Sequence, residues 1–98
     1  MTYVEEVRER LIAAFPKLGE AKRKDLLDQY TLLVLIKGKE VTPADVHDAW
    51  SVRMSHIRPD HWSIVPFGEL SQETQEKDAK YAVAIRAISR ELVTRKVG

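Results

Sequence analysis

A ten-residue stretch, His61 to Leu70, constrains the fold of this chain more than any other part of the sequence. It lies between two segments with helical periodicity, yet five of its side chains are large and apolar: Trp62, Ile64, Val65, Phe67 and Leu70. Burial of one such side chain is worth roughly 1.5–3 kcal/mol, so a fold that left all five in water would lose much of its stability. We therefore expect the helices to pack around this stretch.

Two residues predict the backbone path of the stretch. Pro66 fixes its own φ angle and favours an extended conformation at Val65. Gly68 permits a turn that other residues resist. The sequence therefore predicts a short extended plug, termed the connector (residues 57–70), that ends in a turn before the next helix. Two interpretations stay open: the connector is only a buried linker, or it also forms one wall of a pocket.

Four segments show the 3.6-residue periodicity of amphipathic helices. The predicted helices span Tyr3–Phe15, Ala21–Lys37, residues 43 to about 55, and the segment that follows Ser71. The run from Thr31 to Ile36 has no polar face, so we expect it to be buried on most sides, although a short β-strand is an alternative for that run alone. The predicted fold is a single all-α domain over residues 1–98, with four helices and the apolar connector between the third and the fourth.

The best-defined helix start lies at residues 41–45. The Thr42 side chain can cap the helix, Pro43 suits the first helical position, and Asp45 is placed for the reciprocal contact of a capping box. Ser71 is predicted to cap the fourth helix. These signals fix where the two helices that flank the connector begin.

Composition argues against several classes of protein. The chain has 98 residues and no cysteine, which is enough for one core without disulfides. Lys and Arg number 16 against 15 Asp and Glu, a near balance that argues against a dedicated nucleic-acid-binding protein. The first ten residues are too charged for a signal peptide, and the longest apolar run is far shorter than the roughly 20 residues that a bilayer requires. We expect a cytoplasmic protein that does not enter the membrane.

The sequence gives weak support for catalysis or metal binding. It contains no GxSxG, no HExxH and no glycine-rich phosphate loop, so we predict a non-enzymatic protein without a cofactor. The spacing of His47, His56 and His61 matches no compact set of metal ligands, so no metal site is predicted.

Asp78 is a carboxylate that the periodicity places on the apolar face of the fourth helix. In such a position it must find a partner or lose its charge. The candidate partners are Arg53, His47, His61 and the indole N–H of Trp50 or Trp62. Asp78 is then either a structural contact that pins the connector to the helix or the polar anchor of a ligand pocket. Three residues with polar tips on apolar bodies suit a pocket wall and a small core equally well: Trp50, Trp62 and Tyr81.

These residues together resemble a known pattern. Trp50 in a helix, the stretch from His61 through Pro66 to Leu70, and Asp78 early in the next helix are similar to the ryanodine-receptor (RyR) repeat domain. The family pattern reads His-Pro-x-Leu-Val-Pro-Tyr/Phe-x-x-Leu. In this chain Trp62 stands where the family has proline, and one copy is present instead of a tandem pair. Residues 30–50 with the connector are also similar to a family of small actinobacteriophage proteins without known activity.

The resemblance implies a RyR-like helical domain that acts as an interaction or ligand-recognition module, tied in some prokaryotic cases to nucleotide signalling. The site that it implies would use Trp50, His61, Pro66, Phe67 and Asp78, and the pocket argument adds Trp62 and Tyr81. We therefore predict a phage-encoded, non-enzymatic binding module for a host protein or a small, nucleotide-derived ligand. The alternatives are a small nucleic-acid-binding accessory protein and a structural, self-associating protein. A single copy would also allow a homodimer that restores the tandem arrangement.

Overall fold

The computed structural model describes the backbone of residues 1–97 and the side chains of residues 1–92. Four α-helices follow one another: α1 (Tyr3–Ala14), α2 (Lys24–Ile36), α3 (Pro43–Ile57) and α4 (Gln72–Val97). Short 3-10 turns at Pro16–Gly19, Ala21–Arg23, Gly38–Glu40 and Phe67–Glu69 lie between them. The predicted all-α fold, with the connector between α3 and α4, is confirmed. No helix in the described part of the chain is long and apolar enough to cross a membrane.

Helices α3 and α4 begin where the capping signals predict. The Thr42 hydroxyl accepts the N–H of Asp45 at 3.1 Å, and the Asp45 carboxylate accepts the N–H of Thr42 at 2.9 Å. This reciprocal pair is the predicted capping box. Ser71 Oγ accepts the N–H of Thr74 at 3.3 Å, which caps α4.

Two predicted helix boundaries were wrong by a few residues. Residues 21–23 form a 3-10 turn instead of the first turn of α2, and no side chain caps the helix there. Helix α3 continues to Ile57, beyond the predicted end near Ser55. It ends there because Pro59 disfavours helical backbone at Arg58.

The core lies between the four helices. Helix α4 packs on α1, α2 and α3, and its buried residues Ala82, Ile85 and Ile88 close the core from one side. The other members come from α1, α2, the start of α3 and the turns between these helices: Val7, Leu11, Leu18, Leu26, Leu27, Tyr30, Val34, Val41 and Val46. This core fixes the positions of α3 and α4, which flank the connector.

The turn between α2 and α3 is pressed against α4 at Gly38. Its φ of 58° is left-handed, a conformation that glycine adopts without steric cost. A Cβ at this position would lie 2.7 Å from Ser89 Oγ on α4. Arg86 of α4 donates from Nη1 to the carbonyl of Val41 at 3.0 Å. These contacts hold the turn on α4 and so place the start of α3.

The prediction that the run from Thr31 to Ile36 is buried on most sides was wrong. The run is helical, but only Thr31 and Val34 are buried, whereas Leu32, Leu35 and Ile36 are exposed. The other three helices cover only part of α2, because a domain of this size has too few elements to surround it. The exposed residues lie at i, i+3 and i+4, so they form one apolar row, termed the α2 stripe.

The prediction of a buried plug was only partly right. Of the large apolar side chains in the connector, Leu70 is buried, while Trp62 is 70% exposed. Three more are half-buried: Ile64, Val65 and Phe67.

Polar contacts to the backbone hold the connector in place. His47 Nε2 donates to the carbonyl of Val65 at 2.7 Å. Gln75 Nε2 donates to the carbonyls of Phe67 and Leu70 at 3.0 and 3.2 Å. Because these bonds position the chain, its apolar side chains need not all face inward, which is why Trp62 can lie in solvent.

Candidate functional site

A cavity of about 490 Å³ opens between the connector, α3, α4 and the start of α2. Small-molecule sites usually have volumes of roughly 300–1,000 Å³, so the cavity is large enough for such a ligand. Five of the seven residues predicted for the site line it: Trp50, His61, Trp62, Asp78 and Tyr81. Pro66 and Phe67 lie outside the lining. The Phe67 ring packs behind His47, at a centroid distance of 6.3 Å, so it supports the wall without facing the cavity.

One wall of the cavity is a row of stacked rings. His47 and Trp50 lie 5.8 Å apart, Trp50 meets the edge of His61 at 5.2 Å, and His61 stacks on Trp62 at 5.6 Å. Pairs of this kind are worth about 0.5–1.5 kcal/mol beyond the area they bury. The row runs from buried His47 to exposed Trp62, so aromatic rings line the cavity from its buried part to its exposed part.

Tyrosines form a second wall. Tyr81 stacks on Phe15 at 4.1 Å and meets Tyr30 at 5.1 Å. Burial raises the pKa of Tyr30, and the nearby Tyr81 and Asp78 add to the effect. Burial also raises the pKa of Tyr81. Both phenols therefore stay neutral and keep a hydrogen that they can donate.

The floor of the cavity contains a histidine and an acid. His47 is 2% exposed, and its Nδ1 lies 3.6 Å from Asp78 Oδ2. Because a carbonyl oxygen only accepts, the short contact from Nε2 to the Val65 carbonyl places a hydrogen on Nε2. Asp78 Oδ2 is buried and has no hydrogen-bond partner among the described residues. The distance of 3.6 Å is too long for a hydrogen bond, so the contact is electrostatic.

Electrostatics at the floor act on Asp78 in two directions. Burial raises the pKa of Asp78, and the neighbouring His47 opposes that rise when it is charged. Among the candidate partners from the sequence, the structure selects His47. Asp78 is linked to the connector only indirectly: it contacts His47, and His47 donates a hydrogen bond to the Val65 carbonyl.

The lining of the cavity is rich in basic side chains. Four cationic residues line the cavity, against the single carboxylate of Asp78: Lys17, Arg23, Arg53 and Lys77. Arg53 is neutralised in part by Asp25, at 2.8 Å, and Arg23 by Glu20, at 3.1 Å. Neither Lys17 nor Lys77 has a carboxylate within 4.0 Å among the residues whose side chains are described. A cleft with such an excess of positive charge attracts anions.

Several lining residues were missed by the sequence-based prediction of the site. His47 was considered as a metal ligand and as a partner for Asp78 but was not assigned to the site, and Tyr30 was not considered for it. The burial of His47 depends on the Val65 carbonyl, 18 residues along the chain, so no local pattern signals it. The four cations come from separate elements and meet only in the fold. In the described part of the chain, no group of three or more His, Asp or Glu side chains could hold a metal ion.

Comparison with known proteins identifies a family but no activity. A family model described as Domain of unknown function (DUF7701) matches residues 2–90, which include every residue that lines the cavity. No curated protein and no solved structure matched the chain.

Proposed function

We propose that this chain, which belongs to the DUF7701 family of domains of unknown function, is a non-enzymatic binding module for a small anionic aromatic ligand of the nucleotide class. The observation that carries the proposal is that one cavity combines aromatic rings with two lysines, Lys17 and Lys77, that have no carboxylate partner among the described side chains. A nucleotide has a flat base that can stack on Trp50 or Trp62 and a phosphate that Lys17 or Lys77 can pair with. Stacking of a base on an aromatic side chain is worth roughly 1–3 kcal/mol.

The contacts of Ser51, His47 and Asp78 support binding over catalysis. Ser51 Oγ lies 3.3 Å from His47 Nε2, and Asp78 lies on the other side of the imidazole, in the order of a hydrolase triad. However, His47 Nε2 already donates its hydrogen to Val65, so it cannot accept the proton of Ser51. Ser51 also lies outside the lining of the cavity. A general base that cannot accept a proton does not activate a nucleophile.

Intrinsic fluorescence gives a direct test, because both tryptophans of the chain line the cavity. We would titrate the protein with a nucleoside monophosphate, the matching nucleoside and inorganic phosphate, and follow the emission. The nucleotide should give a saturable change and raise the melting temperature, since binding to the native state stabilises it by mass action. The nucleoside should bind more weakly, and phosphate alone should change the emission little.

Two exposed residues provide a matched pair of variants. Trp62 is 70% exposed and lines the cavity, whereas Val83 is 59% exposed on α4 and does not. Trp62→Ala should weaken nucleotide binding, and Val83→Ala should leave it unchanged, with both proteins folded. The proposal fails if no nucleotide gives a saturable change, or if the two variants lose affinity equally.

The α2 stripe supports a second candidate function, recognition of a host protein. It places Leu32, Leu35 and Ile36 on the surface in one apolar row. Leu32→Glu should abolish capture of a protein partner without changing the nucleotide titration. Self-association through the same row would appear instead as a concentration-dependent sedimentation coefficient that Leu32→Glu removes. Phage origin, kinship with RyR repeats and a homodimer stay predictions from the sequence.

A further inference from the structure

Asp78 presents its two carboxyl oxygens to different surroundings. Oδ2 is buried, lacks a hydrogen-bond partner among the described residues and faces His47 Nδ1 at 3.6 Å. The side chain nevertheless keeps 15% of its exposure and lines the cavity. Oδ1 also accepts no hydrogen bond from a described residue, but unlike Oδ2 it is not a buried atom. Oδ1 is therefore the carboxyl oxygen that a ligand can reach.

His47 determines how Asp78 behaves as an acceptor. The hydrogen on His47 Nε2 is fixed by the Val65 carbonyl, so any further proton on the ring goes to Nδ1, beside Oδ2. A proton on Nδ1 makes the ring a cation, which keeps the carboxyl group ionised and opposes the effect of burial. In this arrangement Oδ2 faces His47 while Oδ1 stays available at the cavity.

The other titratable groups that line the cavity around Asp78 are basic groups or neutral phenols. Tyr30 on α2 and Tyr81 on α4 interact with it electrostatically, and both are neutral phenols. The remaining groups on the cavity wall are basic: Lys17, Arg23, Arg53, His61 and Lys77. They repel a cationic ligand, so a group that donates to Asp78 should belong to a neutral ring.

We propose that Asp78 Oδ1 is the specificity-determining acceptor of this cavity and selects heteroaromatic ligands that carry an exocyclic amino group, with His47 as the positioning residue behind it. This inference rests on the proposed function. An amino N–H that meets a carboxylate forms a charge-assisted hydrogen bond. A ligand without that hydrogen displaces water from Asp78 but forms no hydrogen bond to the carboxylate, so it should bind more weakly than the amino ligand.

Two matched pairs of nucleotides isolate the amino group. Adenosine monophosphate is compared with purine riboside monophosphate, and cytidine monophosphate with the 2-pyrimidinone riboside monophosphate. Within each pair the ligands differ in one amino group, so stacking and phosphate contacts stay nearly constant. In at least one pair the amino ligand should bind roughly tenfold more tightly or better, as expected of a hydrogen bond to a charged acceptor.

Variants of neighbouring residues separate recognition from charge. Asp78→Asn keeps a neutral acceptor but loses the charge, so it should lower the affinity of the amino ligand most and reduce the preference within the pair. Lys77→Ala, one residue away and on the same wall, should weaken both ligands of a pair by the same factor. The wild-type preference should also shrink as acid protonates Asp78, and that pH dependence should be missing from Asp78→Asn. If the variant does not fold, the pH profile of the wild-type protein is the deciding measurement.

The outcomes distinguish this inference from the function on which it rests. Equal affinities within both pairs, or a preference that Asp78→Asn leaves intact at every pH, overturn the role of Asp78 but leave nucleotide binding in place. If no nucleotide binds at all, the proposed function fails and the inference fails with it.

Discussion

Replacing Gly38 with alanine tests how tightly the α2–α3 turn is pressed against α4. Two effects should destabilise the folded state of Gly38→Ala. A residue with a Cβ adopts the left-handed backbone of Gly38 at a cost of about 1–2 kcal/mol. Alanine also makes the unfolded chain stiffer, which offsets roughly 0.4–1 kcal/mol of that cost. The new Cβ would also lie 2.7 Å from Ser89 Oγ, and such overpacking typically costs about 1–3 kcal/mol. We therefore expect Gly38→Ala to lower the free energy of unfolding by about 2–4 kcal/mol.

A second substitution separates the two effects. Ser89→Ala removes the Oγ, and the Ser89 Cβ lies at an ordinary contact distance of 3.7 Å from the position of the new carbon. In that background Gly38→Ala should cost only about 1 kcal/mol, the part that comes from the backbone. The coupling between the two substitutions should accordingly be about 1–3 kcal/mol.

The assay is urea unfolding followed by far-UV circular dichroism, for the two single variants and the double variant. Gly68→Ala is the matched control, because a Cβ there meets nothing within 4 Å and Gly68 does not have a positive φ. It should change the free energy of unfolding little. An equal cost of Gly38→Ala with and without Ser89 Oγ would refute the close approach of the turn to α4.

Three further predictions concern stability, each measured by urea unfolding. Thr42→Ala removes half of the capping box of α3 and should cost about 1 kcal/mol, whereas a cost near zero would show that the box contributes nothing. Leu11→Ala, at a fully buried position, should cost about 3–5 kcal/mol, while Leu32→Ala on the exposed α2 stripe should cost under about 1 kcal/mol, and similar costs would contradict the assigned core. Burial raises the pKa of Asp78 above its ordinary value of 3.8, so the folded state keeps this proton to higher pH than the unfolded chain, and its ionisation lowers stability as pH rises. Asp78→Asn should therefore gain stability relative to the wild type as the pH rises above about 4, and a difference that does not change with pH would contradict the burial of this carboxyl group.

Local signals predicted the helices well. Thr42, Pro43 and Asp45 form the expected capping box because all of its contacts lie within a few residues. The spacing of apolar residues located all four helices for the same reason, since periodicity is a property of one element. The predicted start of α2 was less accurate, because no side chain caps the helix there and so no local signal marks its first residue.

The sequence could not predict which apolar face lacks a neighbour. The continuous apolar run in α2 suggested burial on most sides, but the number of helices available to cover it is a property of the whole fold. Leu32, Leu35 and Ile36 therefore lie in water despite their hydrophobicity. Trp62 was predicted to be buried on the same reasoning and lies at the cavity mouth instead.

The candidate site was predicted in part because its residues are chemically unusual where they stand. Asp78 was singled out as an acid on an apolar face, and Trp50 as an amphipathic ring. The basic lining was not predicted, because Lys17 and Lys77 are ordinary surface cations in sequence. They come together only because the 3-10 turn at Pro16–Gly19 and α4 line the same cavity. The role of His47 also depends on a contact with a distant carbonyl, which no sequence pattern encodes.

Every residue offers a carbonyl oxygen, whatever its side chain. His47 and Gln75 donate hydrogen bonds to the backbone carbonyls of residues 65, 67 and 70. The backbone path of the connector therefore does not depend on which side chains occupy its outward positions. Substitutions at Trp62 can accordingly change the chemistry at the cavity entrance while the connector keeps its shape. Backbone atoms hold the connector in place and side-chain atoms face the ligand, so the specificity of the entrance can diverge without a loss of folding.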